Sequence, residues 1–198
     1  QDSCVVFGVW APGEEVSKLT YFGLYALQHR GQESAGIAAS DGNRVVVYKD
    51  MGLVSQVFTE AVLGTLVGHI AIGHCRYSTT GASKWENAQP TFRTTARGHV
   101  ALGHNGNLTN TQDLKVRLGG QIVGELPMGS SLERATSDTE VLTELLALAV
   151  EAQTLEDAAA ELLPNVKGAF SLVFMDDNTL YAARDPQGIR PLVLGKLE

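Results

Sequence analysis

Gly36-Ile37-Ala38-Ala39-Ser40-Asp41-Gly42-Asn43-Arg44-Val45-Val46-Val47-Tyr48 sets the architecture of the chain. Two short apolar runs flank an Asp-Gly pair, and glycine accepts the positive φ that a tight hairpin turn demands. A hairpin makes neighbouring strands antiparallel, which separates this chain from folds built of alternating parallel strand–helix units. Asp176-Asp177-Asn178 repeats the device between strands predicted over Ala169 to Met175 and Thr179 to Ala183.

Nearer the N-terminus, Cys4 is followed by the β-branched run Val5-Val6-Phe7-Gly8-Val9, a further strand. Ala11-Pro12-Gly13 is a turn, after which Glu14 and Glu15 suit a helix start. Val16, Leu19, Gly23, Ala26 and Leu27 recur at helical spacing, with His29 and Arg30 suited to the end and Gly31 to the cap. Phe58 to Leu66 reads as a short helix. Two more strands, Ile70 to Gly73 and Val100 to Gly103, each end in Gly-His and turn polar, the second into a loop at His104-Asn105-Gly106-Asn107. Thr80 to Arg97 reads as a loop over one sheet end, Leu108 to Leu118 as a helix, and Gly119 to Glu133 as a mobile loop. Ser137-Asp138-Thr139-Glu140 fits a capping box. Thr154 opens a second helix that Pro164 stops, and Pro191 to Leu194 is the last predicted strand. The expectation is an α+β domain with helices outside antiparallel sheets, without internal repeat or linker.

The 198 residues allow one domain with a sizeable core. With 44% apolar and 19% charged residues the balance is that of a globular protein. No apolar run reaches the ~18 residues of a membrane span, and the start lacks the basic-then-apolar layout of a secretory signal. A net charge of −7 argues against a nucleic-acid surface. Two cysteines, Cys4 and Cys75, give neither a disulfide framework nor a zinc quartet. The expectation is a reduced, cytoplasmic protein.

A thiol heading a buried strand is either a small core residue or a nucleophile. The nucleophile needs a base, because free cysteine titrates near ~8.5. His29, His69, His74, His99 and His104 are side-chain candidates, none close in sequence. The α-amine of Cys4 itself, with an ordinary pKa of about 7.7–8.0, is another if the Ser3–Cys4 bond is cut. Asn105-Gly106 makes either a tight turn or a site where a carboxamide and an unobstructed N–H meet an oxyanion. Arg76 suits a bidentate grip on a carboxylate and Asp138 an ammonium, although each also reads as an ion pair or a dipole-compensating acid. Together, those two clamps define a free α-amino acid as ligand. Cys75 and the histidines otherwise read as core or loop residues.

Leu27-Gln28-His29-Arg30-Gly31-Gln32-Glu33-Ser34-Ala35-Gly36, Gly73-His74-Cys75-Arg76-Tyr77-Ser78-Thr79, His104-Asn105-Gly106-Asn107-Leu108-Thr109-Asn110 and Arg184-Asp185-Pro186-Gln187-Gly188-Ile189-Arg190-Pro191-Leu192 give the chain a resemblance. It resembles the amidophosphoribosyltransferases, the glutamine phosphoribosylpyrophosphate amidotransferases that open purine biosynthesis. Glutaminases such as glucosamine-6-phosphate synthase share the Cys, Arg and Asn-Gly plan but differ in the Leu-Gln-His-Arg-Gly-Gln segment. The resemblance implies an N-terminal-nucleophile hydrolase fold, a four-layer αββα sandwich of two antiparallel sheets. It implies that Cys4 forms a γ-glutamyl thioester with its own α-amine as base, that Asn105 and Gly106 form the oxyanion hole, and that Arg76 and Asp138 hold the glutamine carboxylate and ammonium. Ammonia would pass to a phosphoribosyltransferase domain, absent from residues 1–198, that binds phosphoribosyl pyrophosphate with magnesium. The glutaminase domain itself would hold no cofactor, and an iron–sulfur cluster, where the complete enzyme has one, would need cysteines outside this chain. A homo-oligomer without nucleic-acid or membrane partners is expected.

Two features depart from the family pattern. Val5 stands where glycine is usual, adding bulk next to the nucleophile. Gln1-Asp2-Ser3 precede Cys4 and read as a remnant leader or propeptide, which makes the chain an unprocessed, inactive precursor. Competing readings are a glutamine-binding regulatory module without catalysis and a cysteine hydrolase with a histidine base.

Overall fold

The structure, a computed structural model, describes residues 4–28, 32–77, 85–123 and 130–196. Strands β1 (Val5–Trp10), β2 (Ser34–Ser40), β3 (Val45–Met51) and β4 (Ile70–Arg76) form one antiparallel sheet in the order β1-β4-β2-β3. Strands β5 (Thr91–Thr95), β6 (Gly98–Leu108), β7 (Gly168–Met175) and β8 (Leu180–Arg184) form a second, in chain order. Helix α1 (Val16–Leu27) and the one-turn helices α2 (Val54–Val57) and α3 (Glu60–Leu63) lie on the first sheet. Helices α4 (Thr111–Val123), α5 (Ser131–Arg134), α6 (Asp138–Val150) and α7 (Leu155–Leu162) lie on the second.

Period-2 alternation sorts the strand residues into layers. In β2, Ala35, Ile37 and Ala39 face the α1 side, while Ala38 faces the other sheet; in β4, Ala71 and Cys75 face α1, while Ile70 and Ile72 face inward. In the second sheet, Val100, Leu102, Phe170, Leu172 and Phe174 pack under α6 and α7, whereas Ala101, Val173 and Met175 meet the first sheet. Both faces of the central strands are buried, which is why they read as nearly unbroken apolar runs. Each fully buried Ile, Leu or Phe is worth about 1.5–3 kcal/mol, so the three apolar layers hold the sandwich together.

The two turns form as their sequences require. Gly42 sits at φ 90°, and the Asp41 carboxylate accepts from the Asn43 and Arg44 N–H groups at 2.9 and 3.0 Å. Asp176 does the same for Asn178 and Thr179 at 2.8 and 2.7 Å. The capping box is present: the Ser137 hydroxyl accepts from Glu140 N, and the Glu140 carboxylate accepts from Ser137 N, both at 3.2 Å. Thr154 caps α7.

Several expectations are corrected. The expected loop over Thr80 to Arg97 contains strand β5, whose Thr91 hydroxyl bonds Leu102 O at 3.1 Å. Phe58 to Leu66 is not one helix: Phe58 is extended, and Thr59 caps the separate turn α3. Helix α4 runs on to Val123, and α5 begins inside the stretch expected to be a loop and ends one residue past it. Pro191 to Leu194 forms no strand, and Val193 and Leu194 are 89% and 96% exposed. His104 to Asn107 belongs to β6 and is not a loop. The expected end and cap of α1 at His29, Arg30 and Gly31 lie outside the described residues. Among the described residues, no helix is long and apolar enough to cross a membrane.

Candidate active site

Cys4 enters β1 in register with the end of β4, since Val5 pairs with Cys75 and Val6 with His74. Val6 packs in the layer between the sheets, and a Cβ on Gly103 of β6 would lie 3.6 Å from it. Two residues on along the inner rows stand Cys4, Arg76 and Asn105, all at one end of the sandwich. The Cys4 Sγ is bracketed by Tyr77, donating to its carbonyl at 3.6 Å and accepting from its N–H at 3.5 Å. Burial pushes the Cys4 thiol up, and the Tyr77 N–H, Arg76 and Arg190 only partly offset it. Asp138 also acts on that thiol, in the raising direction. A thiol in this setting reaches its thiolate only with a base at hand.

Val5 faces the other way. It packs in the α1 layer beside Phe7 and Val9, so its bulk lies on the face of the sheet away from the inner row. Cys75, fully buried in that layer, is pushed up to about 12 by burial and is an inert core thiol.

The edge of β6 supplies the next element. Strand β6 outruns β5, whose ladder ends where Thr91 pairs with Leu102. Beyond that point the N–H groups of His104, Gly106 and Leu108 all face the open edge, because Phe170, opposite Gly106, turns its own N–H and carbonyl to Asp185. The Gln89 Oε1 takes the His104 N–H at 2.7 Å, and the Asp138 Oδ2 takes the Leu108 N–H at 3.1 Å. Between them stands the N–H of Gly106. Its φ of 147° and a would-be Cβ 2.0 Å from Ala169 O require glycine here. The Asn105 carboxamide, on an almost buried residue, has no hydrogen-bond partner among the described residues.

Asp138 is the first residue of α6, where the helix dipole favours an anion. Burial alone would raise its carboxyl, but His104, with Nδ1 at 3.6 Å, and the Leu108 and Thr139 N–H groups outweigh that and hold it below the usual carboxylate range. Arg76 is half-buried and donates to Glu33 at 3.3 Å through one of its five N–H groups. Arg76 and Asp138 thus lie within electrostatic reach of Cys4 and act on it with opposite sign, cation and anion.

The histidines divide by position. Burial holds His74 at about 3, neutral at physiological pH, with Nε2 on His104 O at 2.9 Å. His99 lies at the far end of the sandwich on Asp177, at 2.6 Å. His29 is outside the described residues. Sequence reasoning missed Tyr77, Glu33, Gln89 and Thr139. Glu33 carried the one usable signal, an acid within the Gln-His-Arg-Gly-Gln-Glu run. Among the described residues, no group of three or more His, Cys, Asp or Glu is placed to hold a metal ion.

Two facing antiparallel sheets between helical layers, with a thiol at the mouth of the inner layer, are the fold of the N-terminal-nucleophile hydrolases. The family described as glutamine amidotransferase domain matches residues 74–198, and the chain belongs to it. Its relatives narrow the class. Over its whole length it is 62% identical to the amidophosphoribosyltransferase of Mycobacterium leprae and 49% identical to that of Synechococcus elongatus. It spans 35% and 39% of those two proteins. The solved Bacillus subtilis glutamine phosphoribosylpyrophosphate amidotransferase, complexed with ADP and GMP, superposes with a TM-score of 0.78 at 41% identity, covering 94% of this chain and 38% of that one.

Proposed function

We propose that this chain is the glutaminase part of an amidophosphoribosyltransferase. The observation that carries the reading is the Cys4 thiol within electrostatic reach of Arg76 and Asp138, at the sheet end where the Gly106 N–H faces the open edge. Arg76 binds the α-carboxylate of glutamine and Asp138 its α-ammonium, which directs the side-chain amide inward to Cys4. The α-amine of Cys4 takes the thiol proton, and the thiolate attacks the amide carbon. Negative charge gathers on the former carbonyl oxygen and is met by the Gly106 N–H and the Asn105 Nδ2. The amine returns the proton to the leaving nitrogen, ammonia departs, and a γ-glutamyl thioester remains. Water, deprotonated by the same amine, cleaves it to glutamate and free thiol.

This base exists only when Cys4 is the first residue. With Ser3 bonded to it the nitrogen is an amide, without basicity, and that form is inactive. Mass spectrometry of the N-terminus, paired with a glutamate-release assay before and after removal of residues 1–3, tests the point. Release only after removal is expected, and turnover with Ser3 attached overturns the amine as base.

The ammonia goes to phosphoribosyl pyrophosphate, giving 5-phosphoribosylamine for purine biosynthesis, in a magnesium-dependent domain outside these residues. The complete protein works as a cytoplasmic homo-oligomer. Chromatography of the full-length protein, and ammonia transfer with and without magnesium, check both statements.

A further inference from the structure

The two halves of the proposed site sit on different elements: Asn105 and Gly106 on β6, Asp138 on α6. One buried side chain joins them. Gln89 accepts from His104 N, the residue before Asn105, at 2.7 Å, and donates through Nε2 to Thr139 Oγ1, the residue after Asp138, at 3.1 Å. Thr139 Oγ1 also meets His104 Nδ1 at 3.2 Å, closing a ring of Gln89, His104 and Thr139. All three residues are buried. Gln89 is itself held by the strap before it: Lys49 Nζ donates to Ala88 O at 2.5 Å and lies 5.1 Å from the Trp85 ring centre, while Trp85 Nε1 bonds Lys49 O at 3.1 Å.

We infer that Gln89 is a positioning residue that sets the oxyanion strand and the ammonium clamp in one fixed relation. The inference rests on the glutaminase reading for its consequences, not for its geometry. The amide does what neither an acid nor an amine can do here, accepting from a backbone N–H with one end and donating to a hydroxyl with the other. Without it the buried His104 N–H loses its acceptor, and Thr139 keeps only His104 and Asp138 as neighbours. Displacements of about 1 Å at such groups are costly in catalysis, on the order of a hundredfold.

The test compares Gln89→Met, which keeps length and volume, with Thr139→Val and the double variant, in the full protein with Cys4 first. Glutamate release gives kcat and KM, and amide hydrogen exchange reads Leu108, whose N–H rests on Asp138. For Q89M, kcat falls and KM rises, lowering kcat/KM by roughly ten- to a hundredfold. For T139V, KM rises with a smaller loss of kcat than in Q89M, because the His104 N–H keeps its Gln89 acceptor. The double variant loses less than the two single losses combined, since both remove the Gln89–Thr139 bond, while T139V adds the loss of the Thr139 contacts with His104 and Asp138. Leu108 exchanges faster in each. Unchanged kcat and KM in Q89M beside an active wild type, or additive losses in the double variant, overturn the inference. If the wild type releases no glutamate while Leu108 responds as stated, the glutaminase reading is what fails. If Leu108 protection is unchanged in Q89M, the bridge fails whatever the activity.

Discussion

The two ends of the sandwich are built from the same strands and treat their polar groups in opposite ways. At the far end, turns close on one another: Ser40 Oγ bonds Asp177 O at 2.6 Å, His69 N bonds Ser40 O at 2.9 Å, and the Asp177 carboxylate takes both the His99 ring and its N–H. Phe92 stacks on His99 and shields the group. At the near end, Gln89 and Asp138 take the N–H groups on either side of Gly106 and leave that one facing outward. The far end spends its hydrogen bonds on closure, whereas the near end holds a donor in reserve. The difference comes from strand length, because β5 stops while β6 continues.

Substitutions at the two ends should have unlike consequences. Cys4→Ala removes the nucleophile and lowers glutamate release by more than about a thousandfold, with the circular dichroism spectrum unchanged; release near the wild-type rate would refute the role of Cys4. Asp138→Asn keeps an acceptor for Leu108 N but loses the charge, so KM for glutamine rises by roughly a hundredfold, equivalent to about 2–3 kcal/mol for a charged hydrogen bond. Steady-state kinetics decide, and a fall in kcat alone would move Asp138 out of the clamp. Gly106→Ala forces a Cβ against the Ala169 carbonyl in a left-handed backbone region, costing on the order of 1–3 kcal/mol of stability as well as activity, as read by denaturant melts. Asp177→Ala, at the far end, lowers stability by about 1–3 kcal/mol and leaves kcat/KM within about twofold. A comparable loss of activity there would end the distinction between the two ends.

A pH prediction separates folding from catalysis. His74 is held at about 3 in the fold against 6.5 when free, so the unfolded chain binds more protons between those values. Its contribution is complete above about pH 6.5 and falls towards about 3, by up to ~1.4 kcal/mol per pH unit. Urea melts between pH 7 and 4 measure the slope, and His74→Gln flattens it.

Legibility in the sequence followed the range of the forces involved. The hairpins at Asp41-Gly42 and Asp176 to Asn178, and the box from Ser137 to Glu140, close within four residues and were readable. Strand β5 was not: Thr91-Phe92-Arg93-Thr94-Thr95 is polar and sits in a stretch rich in turn-forming residues, so only its pairing with β6 makes it a strand. Pro191 to Leu194 misled in the opposite sense, apolar but without a neighbouring strand. Arg76 and Asp138 were legible as charges of opposite sign. Glu33 as the ion-pair partner of Arg76 was not, because that contact spans 43 residues. Gln89 was invisible for the same reason, its partners lying 15 and 50 residues away.

The shortness of β5 carries a constraint of its own. Were the ladder to gain four residues at the Gln89 end, the carbonyls in register would claim the backbone of His104 and then of Gly106, finishing the sheet neatly and silencing its unused donor. Evolution and engineering should therefore find this strand easy to decorate but hard to lengthen, since a more complete sheet would be a less useful one.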